Sequence, residues 1–164
     1  MINYRRATIE DLEKIWDKDI QANSDDERYL RWKDEFIEAN KLENIVTFVL
    51  LNDDDPIGQA SLVLNKNNIK FKCRDLLCDG RERAYLSTLR IEKSFEGQGH
   101  ISKLIKTIEN FAKNKSIKFL TIGVEAKETR NLSIYLHFEY NEFITSETDD
   151  TLILFYQKKL SYGL

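Results

Sequence analysis

The sequence is poor in the residues that mark disulfide scaffolds and metal sites. It has two cysteines and two histidines in 164 residues. Cys73 and Cys78 stand in the segment KCRDLLCD without the further cysteine or histidine ligands that a zinc site needs. We therefore predict reduced thiols and no metal site. A redox pair or a catalytic thiol is the alternative, although no histidine lies nearby in the sequence.

Proline and glycine are also scarce, and long apolar runs are absent. One proline and six glycines leave no obvious linker, so residues 1–164 are predicted to form a single domain. No stretch approaches the ~18 uninterrupted apolar residues of a membrane span. The opening MINYRRATIE lacks the apolar core of a signal peptide. These absences predict a cytoplasmic protein that does not enter a membrane.

Neither sign of charge dominates the chain. There are 25 lysines and arginines against 28 aspartates and glutamates, which gives a formal net charge of -3. Such a balance creates no broad positive field for nucleic acid or for an anionic membrane surface. If the protein has an electrostatic partner, the balance slightly favours a cation.

Apolar periodicity and turn residues predict an alternation of helices and strands. Thr8 and Asp11 have the spacing of a capping box, and Asp53–Pro56 separates two β-rich runs as the turn of a hairpin. The aromatic residues of the second helix are interpreted as core. The predicted elements are a strand at 2–6, helices at 9–21 and 26–39, the hairpin within 44–65, a strand at 84–91, a helix that opens after Gly99, a strand at 117–125, a helix at 129–138, and strands at 141–147 and 151–160. This order predicts a mixed α/β layer structure.

A glycine-rich turn leads into the predicted central helix, in the segment FEGQGHISKLI. It differs from a dinucleotide fingerprint, because Ser102 stands where a third glycine is required. The G-x-x-x-x-G-K-[ST] loop of nucleotide hydrolases occurs nowhere in the chain. Gly97 and Gly99 would let backbone amides approach an anion, and the helix N-terminus would point N–H groups at the same place. The turn therefore suits a pyrophosphate, and an ordinary loop before a core helix is the alternative.

Four segments, in this order, resemble the GNAT superfamily of acyl-CoA-dependent N-acetyltransferases. INYRRATIEDLEKIW is similar to the opening strand and helix of the family, and DPIGQASL to its second hairpin. LRIEKSFEGQGHISKLI is similar to the strand, turn and helix that bind CoA, and IYLHFEY to the closing segment. The resemblance implies an α/β fold with a mixed, mostly antiparallel central sheet, helices on both faces and a splay between strands four and five. It also implies acetyl-CoA as the co-substrate.

The resemblance implies a set of residues that bind CoA. The family pattern Q/R-x-x-G-x-G/A falls on residues 96–101, where Glu96 replaces the usual Gln or Arg and Ile101 replaces the usual small residue. Gly99 is kept, so these departures concern CoA affinity more than the fold. Asn131, near the start of the last helix, is implied to reach the pantetheine. The implied CoA-binding residues are Leu89, Ile91, Glu96, Gly97, Gln98, Gly99, His100, Ile101, Ser102, Lys103 and Asn131.

In this family an amine attacks the thioester directly, which requires a proton for the leaving thiolate. Tyr135 stands at the family's tyrosine position in IYLHFEY and is implied to supply that proton. Tyr85 and Tyr140 are the alternatives. Plain core packing of Tyr135 is the interpretation that involves no catalysis.

A base must accept the proton of the attacking amine. The predicted fourth strand, Ala84–Ile91, has no carboxylate where several relatives carry one. Glu125, at the end of the fifth strand, is the candidate base. Glu82, Asp79 and a water-mediated path are the alternatives.

The acceptor is implied to lie over the first two helices and the acidic loop ANSDDERY between them. The main hypothesis is an N-acetyltransferase that acts on a primary amine of a small molecule or peptide. The acidic loop is compatible with a cationic acceptor, and a homodimer is left open. Two alternatives are a non-catalytic GNAT-fold module that binds acyl-CoA and a phosphate-binding interaction domain unrelated to CoA.

Overall fold

The computed structural model describes residues 1–162 and follows the predicted order of elements. The strands and α-helices of this part are β1 (Ile2–Arg6), α1 (Ile9–Ala22), α2 (Arg28–Lys41), β2 (Ile45–Asn52), β3 (Asp55–Val63), α3 (Arg74–Leu77), β4 (Arg83–Ile91), α4 (His100–Asn114), β5 (Phe119–Glu125), α5 (Thr129–His137), β6 (Glu142–Asp149) and β7 (Thr151–Lys159). The one-turn helix α3 was not predicted. Among the described residues, no helix has both the length and the apolarity needed to cross a bilayer.

The strands form one sheet in the order β1-β2-β3-β4-β5-β7-β6. β1 is antiparallel to β2, and β7 is antiparallel to both β5 and β6. β4 and β5 are parallel, with Arg83–Tyr85 paired to Phe119–Thr121 near the start of each strand. The pairing ends there while both strands continue. This confirms the predicted mixed, mostly antiparallel sheet with a splay between strands four and five.

Contacts divide the chain into two compact units, which are described separately. The first unit contains Met1–Leu62 and Thr88–Ile108, and the second contains Val63–Ser87 and Glu109–Leu164. The chain passes from one unit to the other at three points, at the end of β3 after Leu62, inside β4 after Ser87 and inside α4 after Ile108. The prediction of a single domain stays a prediction.

The core of the first unit forms between α1 and the strands β2 and β3. Leu12 and Ile15 are buried on α1, and Ile15 packs with Val49 and Leu51 of β2. β2 and β3 are buried along almost their whole length. Burial of consecutive residues is typical of strands that are covered on both faces.

The predicted capping box fixes the start of α1. The Asp11 N–H donates to the Thr8 hydroxyl at 3.2 Å, and the Thr8 N–H donates to the Asp11 carboxylate at 2.8 Å. Asp11 is only 3% exposed and also accepts two hydrogen bonds from Arg5, at 2.5 and 3.2 Å. Burial alone would raise the pKa of Asp11, but the hydrogen bonds from Arg5 and Thr8 outweigh it and lower the pKa. The carboxylate therefore ties β1 to α1 in its charged form.

The second unit is built around β5 and β7. Leu120 and Ile122 of β5 and Phe155 of β7 are buried. A Cβ at Gly123 would lie 2.8 Å from Phe155 Cε1 and 2.9 Å from the Tyr85 hydroxyl. Only glycine fits this position without displacing one of the two rings.

Several elements begin one or two residues away from their predicted starts, and three of these differences have local reasons. The Asp26 carboxylate accepts the backbone N–H of Arg28 at 3.0 Å, so α2 begins at Arg28. The Ile117 N–H closes the end of α4 by donating to the Ala112 oxygen at 3.0 Å, so β5 begins two residues later than predicted. β3 already begins at Asp55, which makes the hairpin turn shorter than predicted.

Both cysteines are free, and their surroundings differ from those of a catalytic thiol. Cys78 is buried, and Cys73 is half-buried beside the Glu147 carboxylate of β6, which accepts the Cys73 N–H at 3.1 Å. Burial, and then the negative charge of Glu147, raise the pKa of Cys73 to about 11. Catalytic thiols have a lowered pKa instead. Within residues 1–162, no group of three or more His, Cys, Asp or Glu side chains is arranged to hold a metal ion.

Replacing Asp11 with asparagine should lower the free energy of unfolding by about 1–3 kcal/mol near neutral pH, because the buried Arg5 contact loses its charge and the capping box is weakened. The folded-state pKa of Asp11 is lowered. The stabilisation is therefore present above the unfolded pKa of ~3.9 and is lost as the pH falls through the folded pKa. Urea titrations at neutral pH and in steps below the unfolded pKa measure both effects.

Asp17→Asn is the matched control on the same helix. Its carboxylate is exposed and bonds Lys33 at 3.0 Å on the surface, so its loss should cost less than about 1 kcal/mol. Equal losses in the two variants, or a loss in Asp11→Asn that does not shrink at acidic pH, would contradict the assignment.

Alkylation of Cys73 by iodoacetamide should be slow in mildly alkaline buffer and accelerate until the pH reaches about 11, because only the thiolate reacts. Glu147→Gln removes the neighbouring charge and should move the midpoint to lower pH. Mass spectrometry of the Cys73 peptide gives the rates, and Glu142→Gln on the same strand is the control. A wild-type rate equal to that of free cysteine across this range would show that the thiol is not shielded as described.

Candidate functional site

The predicted phosphate turn leads into α4, which begins at His100. Gly97 and Gly99 have φ angles of 77° and 83°, in the left-handed region that glycine adopts at little cost. Among the described residues, no atom lies within 4 Å of the position that a Cβ on either glycine would occupy. The exposed members of the predicted CoA-binding set are Glu96, Gly97, Gln98, Gly99, Ser102, Lys103 and Asn131, and Ile101 is half-buried. The backbone of the turn is thus open to an anion at a helix N-terminus.

His100 connects the turn to β1. It is 8% exposed, its Nδ1 is hydrogen-bonded to the Tyr4 hydroxyl, and its Nε2 lies 3.3 Å from Gln98 Oε1. The Lys103 ammonium stands 5.3 Å from the centre of the Tyr4 ring, a cation–π distance. Gln98, His100 and Lys103, all predicted to bind CoA, therefore also hold the shape of the turn through Tyr4.

The last part of β4 has an unusual backbone at Thr88. Its φ is 51°, which is rare for a β-branched residue. The Thr88 hydroxyl donates to Ser61 Oγ at 2.7 Å, and Ser61 Oγ lies 2.9 Å from the Thr47 hydroxyl. Strained backbone that its surroundings hold in place is typical of functional sites. No signal in the sequence marked Thr88.

Leu89 and Ile91, the predicted CoA-binding residues of β4, follow Thr88. Leu89 is half-buried and Ile91 is buried. A Cβ at Gly58 of β3 would lie 2.6 Å from Ile91 Cδ1 and 3.1 Å from the Arg90 oxygen. Gly58, in the segment DPIGQASL, thus allows β3 to approach this end of β4.

Tyr135 lies on α5 and is half-buried. Within residues 1–162 its hydroxyl makes no hydrogen bond, whereas its backbone oxygen accepts the Tyr140 N–H at 3.0 Å. Burial raises the pKa of Tyr135 above its ordinary value. The hydroxyl therefore keeps its proton at neutral pH and is available as a donor.

The two alternative tyrosines are more enclosed. Tyr140 is fully buried, and its hydroxyl donates to Glu109 at 2.8 Å, a carboxylate that also binds Lys158 at 3.0 Å. Tyr85 lies against Gly123. Burial, and then the electrostatic interaction with Tyr135, raise the pKa of Tyr85. The Tyr140 hydroxyl is thus occupied by Glu109, unlike that of Tyr135.

The carboxylates of the candidate bases differ in their hydrogen bonds and ion pairs. Glu125 ends β5 with its carboxylate 42% exposed, 3.8 Å from Lys127 Nζ. Asp79 Oδ1 accepts three backbone N–H groups of the turn that follows it, each at 2.9 Å. Glu82 forms an exposed ion pair with Lys118 at 3.1 Å. Asp79 is thereby committed to the turn before β4, and Glu125 stays the candidate base.

A cavity of about 290 Å³ lies beside the last part of β4. Trp16 of α1 and Tyr29, Trp32 and Phe36 of α2 form its apolar wall, and polar residues of α1, β3 and β4 form the rest. The four rings are half-buried. The interpretation of the α2 aromatic residues as core is therefore wrong for these three. Their spacing of three or four residues along α2 was the only sequence signal, and it fits a core face equally well.

Solved structures have the same fold. An N-acetyltransferase from Staphylococcus aureus is matched with a TM-score of 0.71 and 18% identity, over 98% of this chain and 99% of that one. YncA of Salmonella typhimurium, solved with its cofactor acetyl-CoA, is matched at 0.71 and 13%, over 100% and 96%. The PaiA N-acetyltransferase of Thermoplasma acidophilum, solved with coenzyme A, is matched at 0.66 and 20%, over 97% and 99%. No curated protein sequence matches the chain.

A family model also matches the sequence directly. The model described as the acetyltransferase (GNAT) family matches residues 9–140. This stretch contains the aromatic wall, the bend at Thr88, the glycine turn and Tyr135. The match confirms the resemblance of the individual segments, because it spans most of the chain. The chain belongs to the acetyltransferase (GNAT) family.

Proposed function

We propose that the protein is an N-acetyltransferase that transfers the acetyl group of acetyl-CoA to a primary amine of a small molecule or peptide. Membership of the family supports an acyltransferase activity. The neighbours solved with acetyl-CoA or coenzyme A support acetyl-CoA as the co-substrate. The observation that carries the proposal is the open, left-handed glycine turn at the start of α4 in a chain of this family.

The turn suits the diphosphate of CoA. The backbone amides of Gly97–Ser102 and the positive end of the α4 dipole would face it, in the space that a Cβ at Gly97 or Gly99 would fill. Ser102 adds a hydroxyl, and Lys103 adds a positive charge beside the Tyr4 ring. Asn131, exposed near the start of α5, is proposed to bind the pantetheine.

Backbone N–H groups of β4 are proposed to stabilise the oxyanion that forms when the amine attacks the thioester carbon. Donors fixed in place before the reaction are effective because they need no reorganisation as charge develops. Thr88 is held by Ser61, so the bend sets the direction of the backbone at Leu89. We assign Leu89–Ile91 to this role.

Two proton transfers complete the reaction. As the C–S bond breaks, Tyr135 donates its proton to the leaving sulfur, and the new amide nitrogen loses a proton to Glu125, directly or through water. The products are the acetamide and the CoA thiol. A free alkylamine has a pKa near ~10.4, so presenting it neutral at pH 7 costs about 4–5 kcal/mol. A base that accepts the proton, or apolar surroundings that disfavour the charged amine, would reduce this cost.

Gly99→Val should weaken CoA binding at least about tenfold, because a branched side chain would enter the space where the diphosphate approaches. Isothermal titration calorimetry with CoA measures the change. Gly80→Val is the matched control. Gly80 also has a left-handed φ, 73°, and open space around its Cβ, but lies in the turn before β4. It shares the backbone strain without facing the proposed diphosphate.

Similar CoA affinities for folded Gly99→Val and Gly80→Val would contradict the turn as the CoA site. Wild-type protein that binds CoA but releases no thiol with any amine would favour the non-catalytic acyl-CoA-binding module. Wild-type protein that does not bind CoA would favour a phosphate-binding domain unrelated to CoA.

Tyr135→Phe should lower kcat by about 10²–10⁴ while leaving acetyl-CoA affinity within a few fold, because it removes the general acid and keeps the ring. Some activity should persist, since an alkyl thiol has a pKa of roughly 8.5 and leaves without help at a lower rate. Thiol release with an accepted amine measures kcat. Tyr156→Phe, at a half-buried tyrosine of β7, is the control. Full turnover by folded Tyr135→Phe would move the assignment to Tyr85.

A further inference from the structure

The cavity beside β4 has one wall made of aromatic rings. Trp16 contacts Tyr29 at 6.5 Å and Phe36 at 5.7 Å between ring centres, and Tyr29 contacts Trp32 at 5.0 Å. These tilted and edge contacts fix the rings relative to one another. The wall is therefore preformed, and the cavity lining is apolar on this side.

The opposite wall is polar, and its charges compensate each other. Arg90 donates to the Asp19 carboxylate at 2.5 Å. When the Gln59 side-chain amide is oriented with its oxygen toward Arg90, that oxygen accepts hydrogen bonds from Arg90 Nη2 at 2.8 Å and from Arg90 Nε at 2.9 Å. Asp19 and Arg90 are the charged residues of the lining, so the cavity contains one anion bound to one cation.

The acidic loop between α1 and α2 does not add negative charge to this lining. Asp26 binds Arg28 through two side-chain nitrogens, at 2.9 and 2.7 Å, and Asp25 and Glu27 are exposed. None of the three lines the cavity. A multiply charged amine would therefore find no unmatched carboxylate there for its second ammonium group.

The cavity is placed for the acceptor. Thr88 and Arg90 of β4 line it, and they flank Leu89, which we assign to the thioester site. Its volume of about 290 Å³ lies at the lower limit of small-molecule sites, ~300–1,000 Å³. An apolar wall beside the amine also disfavours its charged form. The size suits one ring system and a short chain.

We infer that the acceptor is a small primary amine whose body is aromatic and carries no second charge, an arylalkylamine, with its ring against Trp16, Tyr29, Trp32 and Phe36. This inference rests on the proposed acetyl transfer for the role of the amine. The choice of ligand class rests on the ring wall and on the compensated charge of Asp19 and Arg90.

Binding can be measured independently of catalysis. The chain has two tryptophans, Trp16 and Trp32, and both line the cavity. Titration with 2-phenylethylamine should change the tryptophan fluorescence at concentrations at least about tenfold lower than titration with spermidine or ethylamine does, because only the first amine buries a ring. N-acetyltryptophanamide, titrated in parallel, corrects for quenching in solution.

Turnover is measured on the same amines by thiol release from acetyl-CoA. The kcat/KM for 2-phenylethylamine should exceed that for spermidine and for ethylamine at least about tenfold. Phe36→Leu and Trp32→Leu, each checked for folding by thermal denaturation, should reduce this preference at least about threefold. Phe143→Leu, at an exposed aromatic residue of β6 in the second unit, should keep it.

The outcomes separate the inference from the proposed function. A fluorescence preference for 2-phenylethylamine without thiol release from any amine supports the ligand class and contradicts acetyl transfer. Thiol release with spermidine or ethylamine equal to or above that with 2-phenylethylamine overturns the inference and leaves acetyl transfer standing. A preference that survives in both wall variants also overturns it, and no response in either assay overturns both.

Discussion

A left-handed backbone at three positions within a short stretch of the first unit shapes the proposed site. Gly97 and Gly99 adopt it at little cost and leave the amides of the turn open. Thr88 also adopts it, which is rare for a β-branched residue, and its hydroxyl donates to Ser61. The stretch therefore combines a permissive turn, where we propose that the diphosphate binds, with a bent strand end, where we propose that the thioester binds. Both depend on backbone direction more than on side-chain identity.

Two ion pairs compensate carboxylates of α1 in the first unit. The Asp11 carboxylate accepts a hydrogen bond from Arg5 at the start of α1, and the Asp19 carboxylate accepts one from Arg90 near the end of that helix. The first pair joins secondary-structure elements, and the second lines a cavity whose other wall is aromatic. Because Asp19, the acidic residue of the cavity lining, is bound to Arg90, the cavity offers no unmatched carboxylate to a cation.

Three tyrosines of the second unit differ in the burial and the hydrogen bonds of their side chains. Tyr140 is buried and bonded to Glu109, and Tyr85 is enclosed beside Gly123. Tyr135 shares the raised pKa that burial causes, yet within the described residues its hydroxyl makes no hydrogen bond. A donor that no protein acceptor occupies can serve a transient acceptor such as a leaving sulfur. Tyr135 therefore stays the proposed acid, because its hydroxyl is the one we assign to the leaving sulfur.

The sequence by itself determined the elements and the turn. The capping box of α1, the apolar runs of β2 and β3, and Gly97 and Gly99 are encoded by neighbours a few residues apart, because helix caps, strand alternation and left-handed turns are local. The tertiary structure decided that Thr88 is bent and that the α2 aromatic rings face a cavity. These depend on partners distant in sequence, Ser61 for Thr88 and α1 for the rings, so no local pattern specifies them.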